Sequence, residues 1–261
     1  MSDQIVTASS NCPIAVELSG VGKTFTSSGG EAVHVLDGVD LKVRQGEFVT
    51  ILGSTGCGKT TLLNLIAGLE PVDKGTIRMA TDLRLGETVA YVFQHYTLFP
   101  WRTTLRNVSF GLQVRDLSSR DRECAARDML ARVGLAGFEN AYPHELSGGM
   151  RQRAAIAQAL AIQPKLLLMD EPFGAVDDST RAELQEILID LWREKGTTIL
   201  FVTHNIDEAI VLGGRVVVLG DGPSGVIQQH NVTLPRPRDR KDNEFTNLFI
   251  RIRQSLSLGL D

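Results

Sequence analysis

This sequence has few cysteines, no long apolar run and only a small net charge. Its three cysteines, Cys12, Cys57 and Cys124, are few and cannot all pair, which argues against a disulfide framework and indicates a reducing compartment. No apolar run reaches the roughly 20 residues of a membrane-spanning helix. With 27 basic and 31 acidic residues, the net charge of −4 gives no reason to expect nucleic acid or an anionic membrane surface as a partner.

Apolar residues make up 43% of the 261 positions, enough to bury one large domain or a core with a subdomain. Residues 1–13 are mostly polar and lack a basic start followed by an apolar stretch. We therefore predict a disordered N-terminal tail, 1–13, without a signal peptide.

One stretch fits the phosphate-loop pattern GxxxxGK[ST] and lies between a predicted strand and a predicted helix. Backbone N–H groups at such a helix start are unpaired, and the helix dipole adds about +0.5 charge there, so phosphates are attracted. The glycines let the backbone curl around phosphate oxygens, the lysine adds a positive charge, and the following threonine hydroxyl can bind Mg²⁺. The alternative is a chance glycine-rich turn, and the loop alone leaves kinase, GTPase and ATPase open. The residues are Gly53, Ser54, Thr55, Gly56, Cys57, Gly58, Lys59, Thr60 and Thr61.

Strand and helix patterns alternate along most of the chain, which predicts a parallel α/β core. Between residue 95 and about 163 the pattern becomes wholly helical, with segments Leu105–Leu112, Arg122–Val133 and Ser147–Ala161, and we predict an inserted helical block there. After Asn231 we predict a short tail with a helix around Phe245–Ile252. The predicted strands are Ala15–Leu18, Val33–Val43, Glu47–Leu52, Gly75–Met79, Thr88–Phe93, Leu166–Met169, Thr198–Thr203 and Val216–Leu219.

Polar side chains follow the apolar strands at the edge where open α/β folds bind ligands. Asp170 and Glu171 end the most apolar strand, where a buried carboxylate is costly without a cation. Asp170 fits an acid that holds Mg²⁺, and Glu171 fits a base for water that attacks the γ-phosphate. His204 and Gln94 end further strands, and each alone is a weak signal.

A second anion-binding helix start occurs at Ser147, Gly148 and Gly149, which open a helix followed at once by Arg151 and Arg153. One phosphate group does not need two such ends from one fold. The simpler interpretation is that this end serves a second nucleotide, bound by another copy of the chain. A P-loop kinase would have no use for it.

With these motifs, the sequence from Val16 to Gly225 resembles the nucleotide-binding subunit of ATP-binding-cassette (ABC) transporters. The resemblance implies a P-loop NTPase core of RecA-like type with an antiparallel β subdomain and an inserted α-helical subdomain. The ATPase domain would span residues 14–230, with the helical subdomain at about 95–163, and 231–261 would form the C-terminal tail.

The resemblance also implies a role for each motif. Met150 and Asn205 depart from the usual Gln and Asp of the family, but neither removes a group assigned to catalysis. Glu171, His204 and Gln94 would act in catalysis, and Thr60, Gln94 and Asp170 would hold Mg²⁺. The ATP contacts would come from Phe25, which stacks on adenine, from Gly53, Ser54, Thr55, Gly56, Cys57, Gly58, Lys59, Thr60 and Thr61, from the signature Ser147, Gly148 and Gly149, and from Asp177.

The implied assembly is a head-to-tail dimer that sandwiches two ATP molecules, with an identical or paralogous partner ATPase. The ATPase pair would act with multi-span permease subunits and a periplasmic or lipid-anchored solute-binding protein, on the cytoplasmic face of the inner (plasma) membrane. No nucleic acid is expected. The segment Gln94–Arg102, with Phe99 and Trp101, would dock the permease, although packing in the core is the alternative for both aromatics.

Several segments resemble the nitrate, sulfonate and taurine importer branch: Leu98–Trp101, Asn107–Leu112, Ser147–Arg151 and Leu234–Arg238. A basic tail loop such as Leu234–Arg238 is ordinarily just solvated. The resemblance implies a small anion as cargo, and nitrate, a sulfonate, taurine, bicarbonate or a small organic acid are indistinguishable from the sequence because the ATPase does not touch the cargo. The alternative is a soluble cassette ATPase not coupled to transport.

Overall fold

The computed structural model describes residues 12–27, 29–223 and 225–257. The predicted disordered tail, 1–13, lies outside these residues except for Cys12 and Pro13. Their carbonyl oxygens accept hydrogen bonds from Arg44 at 3.2 Å and from the Gln45 N–H at 2.9 Å.

Strands and helices alternate from residue 166 to residue 219, as predicted, whereas the described chain begins with three successive strands. Short 3₁₀ turns at Phe110–Val114 and Pro143–Glu145 add to them. The elements are β1 (Ile14–Thr26), β2 (Ala32–Arg44), β3 (Phe48–Leu52), α1 (Lys59–Ala67), β4 (Lys74–Met79), β5 (Val89–Val92), α2 (Thr104–Val108), α3 (Ser119–Arg132), α4 (Gly148–Ala161), β6 (Leu166–Asp170), α5 (Asp178–Lys195), β7 (Thr198–Thr203), α6 (Ile206–Leu212), β8 (Arg215–Leu219), β9 (Val226–Asn231) and α7 (Asn243–Ser257).

The chain divides into two compact units. The first consists of Met1–Thr81 with Thr198–Asp261, and the second of Asp82–Thr197. The first unit contains an antiparallel sheet in the order β2-β1-β4, which confirms the predicted antiparallel β subdomain. It also contains parallel strands in which β3 pairs with β7 on one side and with β8 on the other. Every residue of β3 and β7 is buried, as expected for central parallel strands.

The second unit pairs β5 with β6 in parallel and carries the helices α2, α3, α4 and α5. Between residues 95 and 163 every described element is a helix or a 3₁₀ turn, and none is a strand. Ala126, Leu130 and Ala154 are fully buried within it. Small alanines on α4 let the neighbouring helices pack closely around them.

Two features of the first unit differ from the sequence-based predictions. Strand β9, with the polar sequence Val226–Asn231, was not predicted because it lacks apolar alternation; it is held by antiparallel pairing with β8. A basic loop such as Leu234–Arg238 is ordinarily solvated, but Arg236 and Arg238 are half-buried and donate to backbone carbonyls of α6. The ordinary case therefore does not apply to these two arginines.

Among the described residues, none of the helices has both the length and the apolar character needed to span a bilayer.

Candidate functional site

The phosphate loop joins buried β3 to α1, as its sequence predicts. Gly56 and Gly58 adopt φ of 87° and 97°, the left-handed region that glycine enters without strain. Helix α1 begins at Lys59 and is capped by Gly58, which brings no side chain to the helix end. The first N–H groups of α1 therefore point into the loop without a side-chain acceptor at the cap, which suits them to an anion.

Lys59 lies across this loop and is only 5% exposed. Its Nζ donates to the carbonyl oxygens of Gly53 at 3.0 Å and Ser54 at 2.6 Å. The backbone of the loop thus holds the Lys59 ammonium in place, and the ammonium gives the loop a fixed positive charge that can interact with phosphate oxygens. Asp221, which follows β8, accepts a hydrogen bond from the Ser54 hydroxyl at the rim of the loop.

Cys57 supports the loop from behind. A Cβ on Gly53 would lie 2.5 Å from the Cys57 Sγ, so only glycine fits at position 53. Cys57 is 3% exposed, and burial raises the pKa of its thiol. Cys57 is therefore a neutral residue whose sulfur packs inside the loop.

The β1–β2 hairpin packs against the same loop. A Cβ on Gly58 would lie 2.8 Å from Leu36 and 3.0 Å from Val35, both on β2. Phe25 pairs with Val33 on this hairpin, two residues before Val35, and its ring is 37% exposed. The Lys23 ammonium lies 5.1 Å from the ring centroid. An exposed ring on a hairpin that borders the loop suits stacking against a nucleotide base.

His204 is exposed and directly follows β7. Because Thr203 of β7 pairs with Leu52 of β3, His204 and Gly53 leave adjacent parallel strands at the same edge. The structure thus brings the histidine and the phosphate loop to one edge of the first unit.

In the second unit, Asp170 ends the wholly buried β6 and is itself 2% exposed. Burial and the charge of Asp170 both raise the pKa of Tyr91 on the neighbouring strand β5. Glu171 adopts φ of 44°, which is uncommon for a residue with a side chain. Backbone of this kind clusters at active sites, and the catalytic role of Glu171 stays a prediction.

The signature residues open α4 in the predicted manner. Ser147 is the N-cap, and its Oγ accepts from the Met150 N–H at 3.3 Å. A Cβ on Gly149 would lie 3.4 Å from the carbonyl oxygen of Ala175, so α4 starts directly against the Gly174–Asp177 segment. Ser147 is exposed, and its hydroxyl proton remains available to a ligand.

Asp177 has a structural role that sequence reasoning missed. It is the N-cap of α5, and its carboxylate accepts from the Thr180 N–H at 3.0 Å and from the Ser179 hydroxyl at 2.6 Å. The Ser179 and Thr180 hydrogen bonds hold the pKa of Asp177 well below its usual range. The signal was present as an Asp with Ser and Thr two and three residues later, the ordinary composition of a helix start.

Gln94 lies exposed, two residues beyond the end of β5. The aromatic segment after it is fixed by the fully buried Asn107, which sequence reasoning also missed. Asn107 accepts from the Phe99 N–H at 2.7 Å, and its amide donates to the carbonyl oxygens of Arg102 at 3.0 Å and Thr103 at 3.1 Å. The position of the segment therefore depends on one buried amide.

Mg²⁺ suits the donor types of the residues predicted to hold it. A buried Asp170 carboxylate, the exposed Thr60 hydroxyl in the first turn of α1 and the Gln94 amide are all oxygen donors, as Mg²⁺ prefers. Within the described ranges there is no cluster of three or more His, Cys, Asp or Glu suited to a metal. Mg²⁺ commonly takes one or two carboxylates and completes its shell with phosphate and water. When bound, it neutralises charge on the nucleotide phosphates.

These features define a P-loop ATPase cassette: a phosphate loop on one unit and a second glycine-rich helix start on the other. The comparison with protein families agrees, since residues 36–174 match the model described as ABC transporter. The chain belongs to the ABC transporter family. It is an ABC-type ATPase.

Two relatives align with this chain over most of their own length. The chain is 42% identical over 230 residues to the nitrate import ATP-binding protein NrtD of Synechocystis sp., covering 87% of this chain and 86% of the relative. It is 39% identical over 248 residues to the aliphatic sulfonates import ATP-binding protein SsuB of Bacillus cereus, covering 94% and 97%. Both relatives carry importer names of the predicted branch.

A solved structure supports the fold and the chemistry. The dimeric structure of the ABC transporter cassette MJ0796 matches with a TM-score of 0.77 and 34% identity, covering 84% of this chain and all of that one. A second structure of that cassette, in a post-hydrolysis state bound to ADP and Pi, matches with a TM-score of 0.76. These matches confirm the predicted P-loop NTPase fold and the predicted ATP hydrolysis.

Proposed function

We propose that this chain is the ATP-hydrolysing subunit of a bacterial importer that takes up a small anion through a separate permease. Its relatives NrtD and SsuB are named for nitrate and for aliphatic sulfonates, which supports this class of cargo over a cassette not coupled to transport. Taurine and bicarbonate belong to the same chemical range. ATP is the nucleotide, with Mg²⁺ as its proposed metal.

The observation that carries the proposal is the presence of two differently built anion-binding helix ends on one chain. Helix α1 is capped by Gly58 and has Lys59 over the loop, whereas α4 is capped by Ser147 and begins with Gly148 and Gly149. We infer that two copies pair head to tail, so that the α1 end of one copy and the α4 end of the other hold the same ATP. The dimeric structure of MJ0796 supports the pairing of two copies.

Within that dimer the remaining residues take the roles that their chemistry suits. Glu171 orients or deprotonates the attacking water, and His204 and Gln94 assist at the γ-phosphate. Phe25 stacks on adenine, and Asp170 with Thr60 and Gln94 holds Mg²⁺. ATP binding shifts the dimer toward closure, and a change from 1:99 to 99:1 requires about 5.5 kcal/mol of differential binding, shared by two nucleotides.

The permease-docking surface is the aromatic segment after Gln94. Trp101 is 71% exposed, whereas Phe99 is half-buried, packs edge-on against Phe110 at 4.9 Å and has the Arg102 guanidinium 4.9 Å from its ring centroid. Trp101 is therefore the residue offered to a partner, and Phe99 supports it from beneath. The permease holds the ATPase at the cytoplasmic face of the membrane. A solute-binding protein delivers the cargo to the permease on the other side.

The experiment is capture of a tagged Glu171→Gln variant with ATP·Mg²⁺ from detergent-solubilised native membranes, followed by mass spectrometry. We expect a multi-span permease to accompany the protein, because blocked hydrolysis holds the closed state. A second capture uses Trp101→Glu in the same background. It should lose the permease and keep ATP-dependent dimerisation by light scattering, because the tryptophan lies outside the nucleotide site.

The matched control is Phe138→Glu, which places a charge at an exposed aromatic of the same unit and should leave permease capture unchanged. Capture of soluble partners alone would favour a cassette not coupled to transport. A monomer at saturating ATP·Mg²⁺ would contradict the sandwich dimer. Once the permease is identified, the solute-binding protein encoded beside it can be screened against nitrate, sulfonates, taurine and bicarbonate.

A further inference from the structure

The basic segment after β9 binds the C-terminal end of α6. Arg238 Nη1 donates to the carbonyl oxygens of Ile210, of Val211 at 3.2 Å and of Gly213 at 2.5 Å. Arg236 donates to the carbonyl oxygens of Val211 at 2.5 Å and of Leu212. The two arginines thus meet the last carbonyl groups of α6, which have no partner within the helix.

Arg238 also ties this helix end to its own segment. Its Nε donates to the Leu234 carbonyl and its Nη2 to the Val232 carbonyl, both at 3.2 Å. Burial and the charge of Arg236 lower the pKa of Arg238 to about 9, so the guanidinium is still charged at neutral pH. A cation at the C-terminal end of a helix is favoured by the helix dipole as well as by these hydrogen bonds.

A helix of seven residues, α6, depends heavily on such end contacts, because most of its backbone groups lie in its first or last turn. Its apolar face packs against the C-terminal helix. Ala209 and Ile210 are fully buried with Phe245 and Ile252 of α7 in one cluster, which also contains Leu52, the residue before the phosphate loop. Helix α7, together with Val232 just after β9, is therefore part of the core around α6.

At the N-terminal end of α6, a closed hydrogen-bond network surrounds the position of His204. The Asn205 N–H donates to Thr203 Oγ1 at 3.0 Å, Thr203 Oγ1 donates to Glu208 Oε2 at 2.7 Å, and the Glu208 N–H donates to Asn205 Oδ1 at 3.2 Å. His204 lies between Thr203 and Asn205, so its backbone is fixed by this network. Any movement of α6 moves Glu208 and thereby the network around His204.

We propose that Arg238 is a positioning residue for His204: it fixes the C-terminal end of α6, and α6 fixes the histidine at its other end. The inference rests on the proposed function, in which His204 assists hydrolysis at the γ-phosphate. Arg238 itself has no contact with the nucleotide in this scheme. Its loss should therefore slow hydrolysis and leave ATP affinity unchanged.

The test compares Arg238→Met with the wild-type chain in ATPase assays and nucleotide-binding titrations. Methionine retains an apolar stem but none of the five donated bonds. We expect kcat to fall about tenfold and the ATP Kd to stay within about twofold, since small displacements of a group acting at the reaction centre have large effects on rate. Arg238→Lys should give an intermediate kcat, because it retains the charge with fewer donors, and it serves if Arg238→Met fails to fold. Arg240→Met, at an exposed arginine two residues on, is the matched control with wild-type kcat.

A double-mutant cycle with His204→Ala separates positioning from general destabilisation. If Arg238 acts through His204, Arg238→Met should have little further effect on kcat in the His204→Ala background. Equal losses of kcat in both backgrounds, or a wild-type kcat for Arg238→Met alone, would overturn the inference while leaving the role of His204 intact. A wild-type kcat for His204→Ala would instead overturn the role proposed for His204, and with it this inference.

Discussion

The starts of α1 and α4 are both glycine-rich helix ends, yet they are capped in different ways. At α1 the cap is Gly58, which has no side chain, and Lys59 is the side chain that lies over the loop. At α4 the cap is Ser147, whose hydroxyl already accepts from the Met150 N–H. One end is thus built to be completed by a ligand, whereas the other is completed within the chain.

This difference fits the two uses of the ends in the proposed dimer. A subunit holds ATP through its own α1 end whether or not a partner is present, so an end that is completed by phosphate is suitable there. The α4 end meets nucleotide only when two subunits close, so it must be stable in the open state as well. Ser147 meets both requirements, stability of the helix end in the open state and contact with the nucleotide in the closed state. Its oxygen caps the helix while its proton can still be donated.

The largest effect is expected at the α1 end, from Lys59→Met. The change removes the charge over the loop and the two hydrogen bonds to the loop backbone, and retains much of the apolar stem. We expect ATP affinity to fall about a hundredfold, because hydrogen bonds to charged groups contribute about 1.5–3 kcal/mol each. Titration calorimetry of the monomer measures this directly.

The matched control is Lys74→Met, at a lysine whose side chain is 70% exposed and whose partner Asp37 lies 3.8 Å away. Exposed ion pairs of this kind contribute about 0–1 kcal/mol, so ATP affinity should not change. Retention of wild-type ATP affinity by Lys59→Met would show that the α1 end does not depend on this lysine.

At the α4 end, Gly149→Val should separate binding from hydrolysis. The new side chain would crowd the Ala175 carbonyl oxygen, which lies 3.4 Å from the position of a Cβ, and would obstruct the helix start. ATP binding to the isolated subunit should be unchanged, because this end takes no part in it. Hydrolysis should fall about 10²–10³-fold, because a side chain that keeps the γ-phosphate away from the helix start has an effect comparable to the loss of an oxyanion donor, and ATP-dependent dimerisation should be lost. A Gly149→Val variant that loses ATP affinity in the monomer would refute the division of roles.

Much of the fold and of both helix ends could be predicted because their signals are local. The phosphate loop, the strand before it and the helix after it are adjacent in sequence, and the all-apolar run Leu166–Met169 identifies a central strand by itself. The strain at Glu171 and the pairing that holds β9 have no such local signature. They arise from the fold around them.

Contacts distant in sequence explain the remaining omissions. Arg238 reaches carbonyl groups of Ile210 and Val211, and nothing near residue 238 indicates that these groups lie beside it. Asn107 resembles any polar residue of a helix until its amide is seen to hold the loop at Phe99 and Arg102. Composition alone favours solvent exposure for such residues, whereas burial and complete hydrogen bonding are properties of the tertiary structure.

The smallest effect, and the finest test of the comparison, comes from replacing the α4 cap itself. Ser147→Ala and Ser147→Gly both remove the hydroxyl, so the two variants should lose hydrolysis equally, by about tenfold for one hydrogen bond to a charged group. They should differ in stability: alanine at an N-cap costs about 1 kcal/mol, whereas glycine costs only a few tenths. The melting temperature should therefore fall by about 2–4 °C in Ser147→Ala and barely change in Ser147→Gly. Equal melting temperatures would mean that capping is not what the serine contributes, and unequal hydrolysis would mean that the helix start, not the hydroxyl, meets the nucleotide.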